Sequence, residues 1–241
     1  MTRMLASVRD LAEAQIVLDA GVDLIDLKNP ADGALGALPA DVIREVVDFV
    51  AGRTITSATA GNIDPDAIEL QAAMSRIAAT GVDYVKAGLF PAGWQHGGRD
   101  YAEVFGCLTG LQPLSGARRI AVMFADLAPP LELVDAVADA GFDGVMVDTA
   151  LKQGRSLCDV VSCAWLANFV ARARGRGLLC GLAGSLRIEH IDALAALDPD
   201  YLGFRGALCV GAERGSELDR ESVRRVRQRL CATAHAHDVV S

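Results

Sequence analysis

A single α/β domain, a (β/α)8 TIM barrel spanning residues 1–241, is predicted by three observations. Short apolar runs alternate with helical patterns eight times along the chain. The runs are continuously apolar rather than alternating, as in parallel strands covered on both faces. No linker or low-complexity stretch divides the chain, and 241 residues is within the usual size of one such barrel. An open doubly wound sheet is the structural alternative.

The elements follow in order. Strand 1 (4–8) leads to a helix over 10–20 that stops at Asp19-Ala20-Gly21, where glycine takes the left-handed turn after the last helical residue. Strand 2 (24–28) is followed by Asn29–Ala37, a long loop of small residues suited to a mobile flap, and then by a helix over 40–51. Strand 3 (54–59) and a helix over 65–80 close on Thr80-Gly81. Strand 4 (83–88) carries a lysine in an apolar run and precedes a helix over 100–111. Strand 5 (119–125) and a helix over 130–140 end at Asp139-Ala140-Gly141. Strand 6 (144–149) leads to a helix over 157–175, strand 7 (178–183) to one over 187–196, and strand 8 (201–205) to one over 219–233. The tail is expected to fray from about residue 234. Ala20-Gly21-Val22-Asp23, Thr80-Gly81-Val82-Asp83 and Ala140-Gly141-Phe142-Asp143 mark one repeated joint between helix and strand.

Composition narrows the function. A net charge of −8 argues against nucleic-acid binding, which needs a basic stripe. No apolar segment approaches the ~20 residues of a membrane span, and no basic-then-apolar leader opens the chain, so a cytoplasmic protein is expected. The six cysteines form no CxxC pair and read as small buried hydrophobes, Cys180 and Cys209 near strand ends included. The four histidines show no ligand spacing, and no metal site is predicted. Barrels commonly associate through their exterior helices, so a homo-oligomer is compatible with the sequence.

The basic residues carry the sharpest signal. Twenty of the 23 are arginine, and the three lysines, Lys28, Lys86 and Lys152, each lie at or just beyond the C-terminal end of a predicted strand. Guanidinium stays charged at any working pH, whereas an amine can lose its proton and attack a carbonyl or act as a base. Active sites of such barrels lie at this end of the strands. Asp26 and Lys28 are two apart and share a strand face, about 7 Å apart. Asp148 closes strand 6, and Lys152 follows it. Side chains from even-numbered strands share layers in a barrel, so strands 2, 4 and 6 can bring these groups together.

Strands 7 and 8 end in Gly181-Leu182-Ala183-Gly184-Ser185 and Gly203-Phe204-Arg205-Gly206-Ala207. Backbone N–H groups at Gly184 and Gly206, with the Ser185 hydroxyl and the Arg205 guanidinium, suit a phosphate, and loops at this place in a barrel often hold one. Several amines, paired carboxylates and a phosphate cradle point to class I aldol chemistry on a phosphorylated carbonyl compound.

The same segments resemble the (5-formylfuran-3-yl)methyl phosphate synthase family over nearly the whole chain. The resemblance rests on Asp26-Leu27-Lys28-Asn29-Pro30 with Gly33–Ala37, on Asp83–Leu89, on Asp148-Thr149-Ala150-Leu151-Lys152-Gln153-Gly154, on Gly181–Leu186 and on Tyr201–Cys209. It implies condensation of two glyceraldehyde 3-phosphates to a furan aldehyde phosphate, with loss of one phosphate and two waters, in the biosynthesis of methanofuran or a similar one-carbon carrier. It also implies that Lys28 forms the Schiff base, that Lys86, Lys152, Asp26 and Asp148 move protons, that Ser185 and the Gly203–Ala207 turn hold a phosphate, and that no cofactor is used. The alternatives are another Schiff-base aldolase acting on a phosphorylated sugar, a metal-free phosphosugar isomerase and a non-catalytic phosphometabolite-binding barrel.

Overall fold

The computed structural model describes residues 1–151 and 154–238, with side chains through Thr233. Each apolar run becomes one strand: β1 (Arg3–Val8), β2 (Leu24–Leu27), β3 (Ile55–Thr59), β4 (Tyr84–Gly88), β5 (Arg118–Phe124), β6 (Gly144–Asp148), β7 (Leu179–Leu182) and β8 (Tyr201–Phe204). All are parallel and pair in chain order, and β8 closes on β1. A closed sheet has no edge strand to protect, which suits strands with no alternating polar face.

Helices α1 (Leu11–Asp19), α2 (Ala40–Val50), α3 (Ala67–Ala78), α4 (Ala102–Gly110), α5 (Leu133–Asp139), α6 (Leu157–Val160), α7 (Cys163–Gly175), α8 (Ile191–Ala195) and α9 (Arg220–Asp238) cover the outside. The helix expected over 157–175 is two. Asp159 accepts from the N–H and the hydroxyl of Ser156, which ties up the first short turn, and Ser162 then caps a new helix at Trp165 N. The helix expected over 187–196 begins as a 3-10 turn at Ile188–His190, because the His190 ring accepts from Arg187 N. Helix α9 runs past residue 234, where the sequence suggests fraying.

Strand side chains alternate between two cores. One set, including Ile25, Val85, Val145 and Leu202, packs under the helices. The other, including Leu5, Leu24, Tyr84, Ile120, Met146 and Tyr201, fills the barrel. A Cβ at Gly181 would lie 2.2 Å from the Tyr201 ring, so only glycine lets that ring cross the interior.

The repeated joint has a structural purpose. Gly21, Gly81 and Gly141 adopt positive φ (69, 89 and 72°) and turn the chain from helix to strand. The aspartate two residues on then reaches the start of the preceding strand. Asp23 accepts from Met4 N at 2.7 Å, Asp83 from Thr56 N at 2.7 Å and Asp143 from Arg119 N at 2.8 Å. Asp200 does the same for Cys180 N at 2.7 Å. Four carboxylates thus clamp β1–β2, β3–β4, β5–β6 and β7–β8 at the end of the barrel opposite the lysines. Among the described residues no helix is long and apolar enough to cross a membrane.

Candidate active site

Alternation along β2 turns both Asp26 and Lys28 into the barrel mouth. The register sets Asp26 beside Ser7 of β1 and Ser57 of β3, and both hydroxyls donate to it, at 3.0 and 2.6 Å. Lys86, one strand further round, places its Nζ 3.0 Å from Asp26 Oδ2. Asp26 is fully buried. Burial alone would push its carboxyl up, but Lys86, Lys28 and the Ser57 hydrogen bond outweigh it and hold the group below the usual carboxylate range. Lys28 Nζ lies 4.0 Å from Asp148 Oδ2, on the far side of the barrel. Asp148 also accepts from Thr149 N at 2.7 Å.

Among the described residues, strands 2, 4 and 6 therefore bring Asp26, Lys28, Lys86 and Asp148 together as two ion pairs, each group under 8% exposed. Lys152 lies outside the described residues. Buried charges persist only when compensated, and here each faces an opposite charge, with acid, base and amine functions in one place.

These groups open onto a cleft of about 280 Å³, bounded by Lys28, Lys86 and Asp148 on one side and by Ser185, Gly206 and Arg214 on the other. Leu5, Met146 and Ala183 of the lining belong to an apolar cluster that continues inside β4 and β5. Phe90 stacks on Trp94 at 4.4 Å and on Phe124 at 4.2 Å, and Leu35, fully buried, inserts beside them. Leu35 belongs to the loop after β2. Its N–H donates to the Asn62 side chain at 3.0 Å, and Gly36 O accepts from Asn29 N and from the Thr59 hydroxyl. The segment that reads as a flap is bonded into the mouth of the barrel in this structure.

The turns after β7 and β8 face the same cleft. Gly184 has φ +115°, and a Cβ there would meet Thr149 at 3.1 Å. Ser185 follows at φ +49°, a left-handed conformation that costs a non-glycine residue about 1–2 kcal/mol. Among the described residues no protein group accepts from the N–H groups of Gly184, Ser185, Gly206 or Ala207. Strained backbone with uncommitted donors facing a cleft is the arrangement that receives an anion.

Arg205 corrects the sequence reading. Its guanidinium lines the cleft but donates all five N–H groups to the protein. It forms a two-point pair with Glu13 and donates to Ser7 O at 3.2 Å, Arg214 O at 3.0 Å and Ser216 O at 3.0 Å. Its side chain holds the turn and has no N–H left to offer a phosphate. Glu13 is a buried carboxylate on α1 that no local motif singles out.

Sequence reasoning also missed Ser7 and Ser57, legible only as hydroxyls inside apolar strands, and Arg214, which sits in an irregular loop. The strand-end thiols are inert: burial, with Asp200 nearby, pushes Cys180 up to about 12, and burial raises Cys209.

Comparison with known proteins bears on the fold and on the family. By structure, the chain is similar to 3-hexulose-6-phosphate synthase from Salmonella typhimurium, with TM-score 0.63 and 19% identity over 96% of this chain and 100% of that one. It is also similar to phosphoribosyl anthranilate isomerase from Thermus thermophilus, with TM-score 0.63 and 14% identity over 96% and 99%. At such identities the likeness speaks for the fold alone. By sequence, the chain is 37% identical over 229 residues to (5-formylfuran-3-yl)methyl phosphate synthase of Archaeoglobus fulgidus, covering 92% of this chain and 96% of that one. It is 45% identical over 217 residues, 90% of this chain and 86% of the relative, to a Methylorubrum extorquens protein that bears the same name provisionally. The family model described as 4-HFC-P synthase matches residues 4–227, so the chain is an enzyme of the (5-formylfuran-3-yl)methyl phosphate synthase family.

Proposed function

We propose that this enzyme condenses two molecules of glyceraldehyde 3-phosphate into (5-formylfuran-3-yl)methyl phosphate, releasing one phosphate and two waters, through a Schiff base on Lys28. The observation that supports this reading most is the meeting of Lys28, Lys86, Asp26 and Asp148 at one barrel mouth, with Lys86–Asp26 at 3.0 Å and Lys28–Asp148 at 4.0 Å.

The Lys28 amine attacks the carbonyl of one triose phosphate, and water leaves as the iminium forms. The iminium acidifies the neighbouring C–H, and a carboxylate at hydrogen-bond reach removes that proton. Asp148, next to Lys28, is placed for this step. The enamine carbon then attacks the aldehyde of the second triose phosphate, and the new alkoxide takes a proton. A hydroxyl of the adduct closes the ring on the iminium carbon and the Lys28 amine leaves; this step and the loss of water and phosphate need further proton transfers, which the Lys86–Asp26 pair, 3.0 Å apart, serves. The apolar lining of Leu5, Met146 and Ala183 limits water beside the iminium. The turns at Gly184-Ser185 and Gly206-Ala207 hold one substrate phosphate. The product's role as a precursor of methanofuran, or of a similar one-carbon carrier, belongs to this proposal.

Incubating the protein with glyceraldehyde 3-phosphate tests it. A growing near-ultraviolet absorbance of a conjugated furan aldehyde, with borohydride-dependent mass added to Lys28, is the expected result. An aldol product without furan points instead to a simpler Schiff-base aldolase, and no labelled lysine rejects the covalent step.

A further inference from the structure

The proposed reaction brings two phosphates into one cleft, and the turns after β7 and β8 offer one of them neutral donors. The second calls for a cation. Three arginines line the cleft. Arg205 has no donor to spare, as described above. Arg187 lies half-exposed, with Nε on Glu189 at 2.6 Å and Nη2 against the His190 ring at 3.3 Å. Arg214 differs from both. Among the described residues its guanidinium makes one hydrogen bond, from Nη2 to Gly33 O at 2.9 Å, and its remaining N–H groups are uncommitted.

Arg214 is half-buried in a loop that is built to hold it. Arg205 Nε donates to Arg214 O and Arg205 Nη2 to Ser216 O, both at 3.0 Å. Arg9 Nη1 donates to Gly215 O at 3.0 Å, and Val210 N to Glu217 O at 3.0 Å. The buried Arg205–Glu13 pair thus fixes the backbone from which Arg214 projects across the cleft to the loop after β2. Burial draws the Arg214 guanidinium below its ordinary value while the facing Asp148 carboxylate opposes this, so the side chain shares an electrostatic field with the catalytic carboxylate. A desolvated fork with idle donors, aimed over a cleft, is the geometry that binds a phosphate at two points.

We infer that Arg214 binds the phosphate of the second triose phosphate, the one that the turns after β7 and β8 do not hold. The same guanidinium reaches Gly33, so the bound anion and the loop that starts at Lys28 are held by one side chain. The inference rests on the proposed reaction for the identity of the ligand, but the anion site stands on its own geometry.

Calorimetric titration with inorganic phosphate tests the site, comparing wild type with Arg214→Gln and Arg214→Lys. Two phosphate sites are expected in wild type and one in Arg214→Gln, with Arg214→Lys retaining the second more weakly. In turnover, Arg214→Gln raises KM for glyceraldehyde 3-phosphate by about tenfold to a hundredfold, the value of a charge-assisted hydrogen bond. Borohydride still labels Lys28 in that variant, because the first substrate binds elsewhere, and added guanidinium ion restores part of the rate. Thermal melting guards against a merely structural loss, since a surface loop variant should melt with wild type. Equal phosphate stoichiometry and affinity in Arg214→Gln and wild type, or a single site in wild type, overturns the inference. Loss of one site from Arg214→Gln in a protein that makes no furan upholds the anion site and rejects the reaction instead.

Discussion

The Lys86 ammonium lies 3.0 Å from the Asp26 carboxylate, with both groups buried at the barrel mouth. Two hydroxyls complete the shell around Asp26, so the pair is held by neighbours on both sides. An ion pair placed there is poised to pass a proton with little motion.

Asp26→Asn is expected to leave the Lys86 charge buried without its counter-charge and to destabilise the fold by roughly 3–5 kcal/mol. The sign with pH follows from the lowered Asp26 carboxyl. Its stabilisation is fully present above the unfolded value of about 3.9 and is lost as pH falls through the lower folded value. Acid unfolding of wild type should therefore show a component below about pH 4 that Asp26→Asn lacks. Urea midpoints measured from pH 2 to pH 7 check this, and matching acid limbs in the two proteins would count against it.

Lys28→Arg should abolish turnover while preserving the melting temperature. The position accepts a longer cation beside Asp148, but a guanidinium cannot form the Schiff base. Furan absorbance and circular dichroism measured together decide the matter, and turnover within tenfold of wild type removes Lys28 as the nucleophile.

Glu13→Gln breaks the buried pair with Arg205 and should cost roughly 3–5 kcal/mol, seen as a lower denaturant midpoint. The loop of residues 209–216 hangs on the same guanidinium, so KM should rise along with the loss of stability. A variant with unchanged KM would show that the loop holds its place without Arg205.

Gly184→Ala forces a methyl to within 3.1 Å of Thr149 at a φ of +115°. A cost of about 1–3 kcal/mol is expected, with weaker phosphate binding because the turn must shift. Phosphate inhibition constants report the second effect, and wild-type inhibition by phosphate in a stable variant would exclude this turn from anion binding.

The barrel and the four charged residues of strands 2, 4 and 6 were legible because both leave marks of short range. Continuous apolar runs announce covered strands, and scarce lysines stand where those runs end. What escaped the sequence depends on contacts between distant segments. Arg205 reads as an anion ligand until Glu13 is found 192 residues away in the chain and beside it in space. Arg214 acquires its place from Arg205 and Gly33, and no pattern in Gly211–Gly215 foretells it. The break before Ser162 depends on a single hydroxyl that is worth a cap only where the chain has already bent.

The aspartates of the repeated joint sit at the floor, bolting adjacent strands in twos, while every reacting group described above belongs to the opposite rim. Structural insurance and chemical risk are thereby kept in separate places. Rim loops can therefore be lengthened, charged or strained without loosening the bolts.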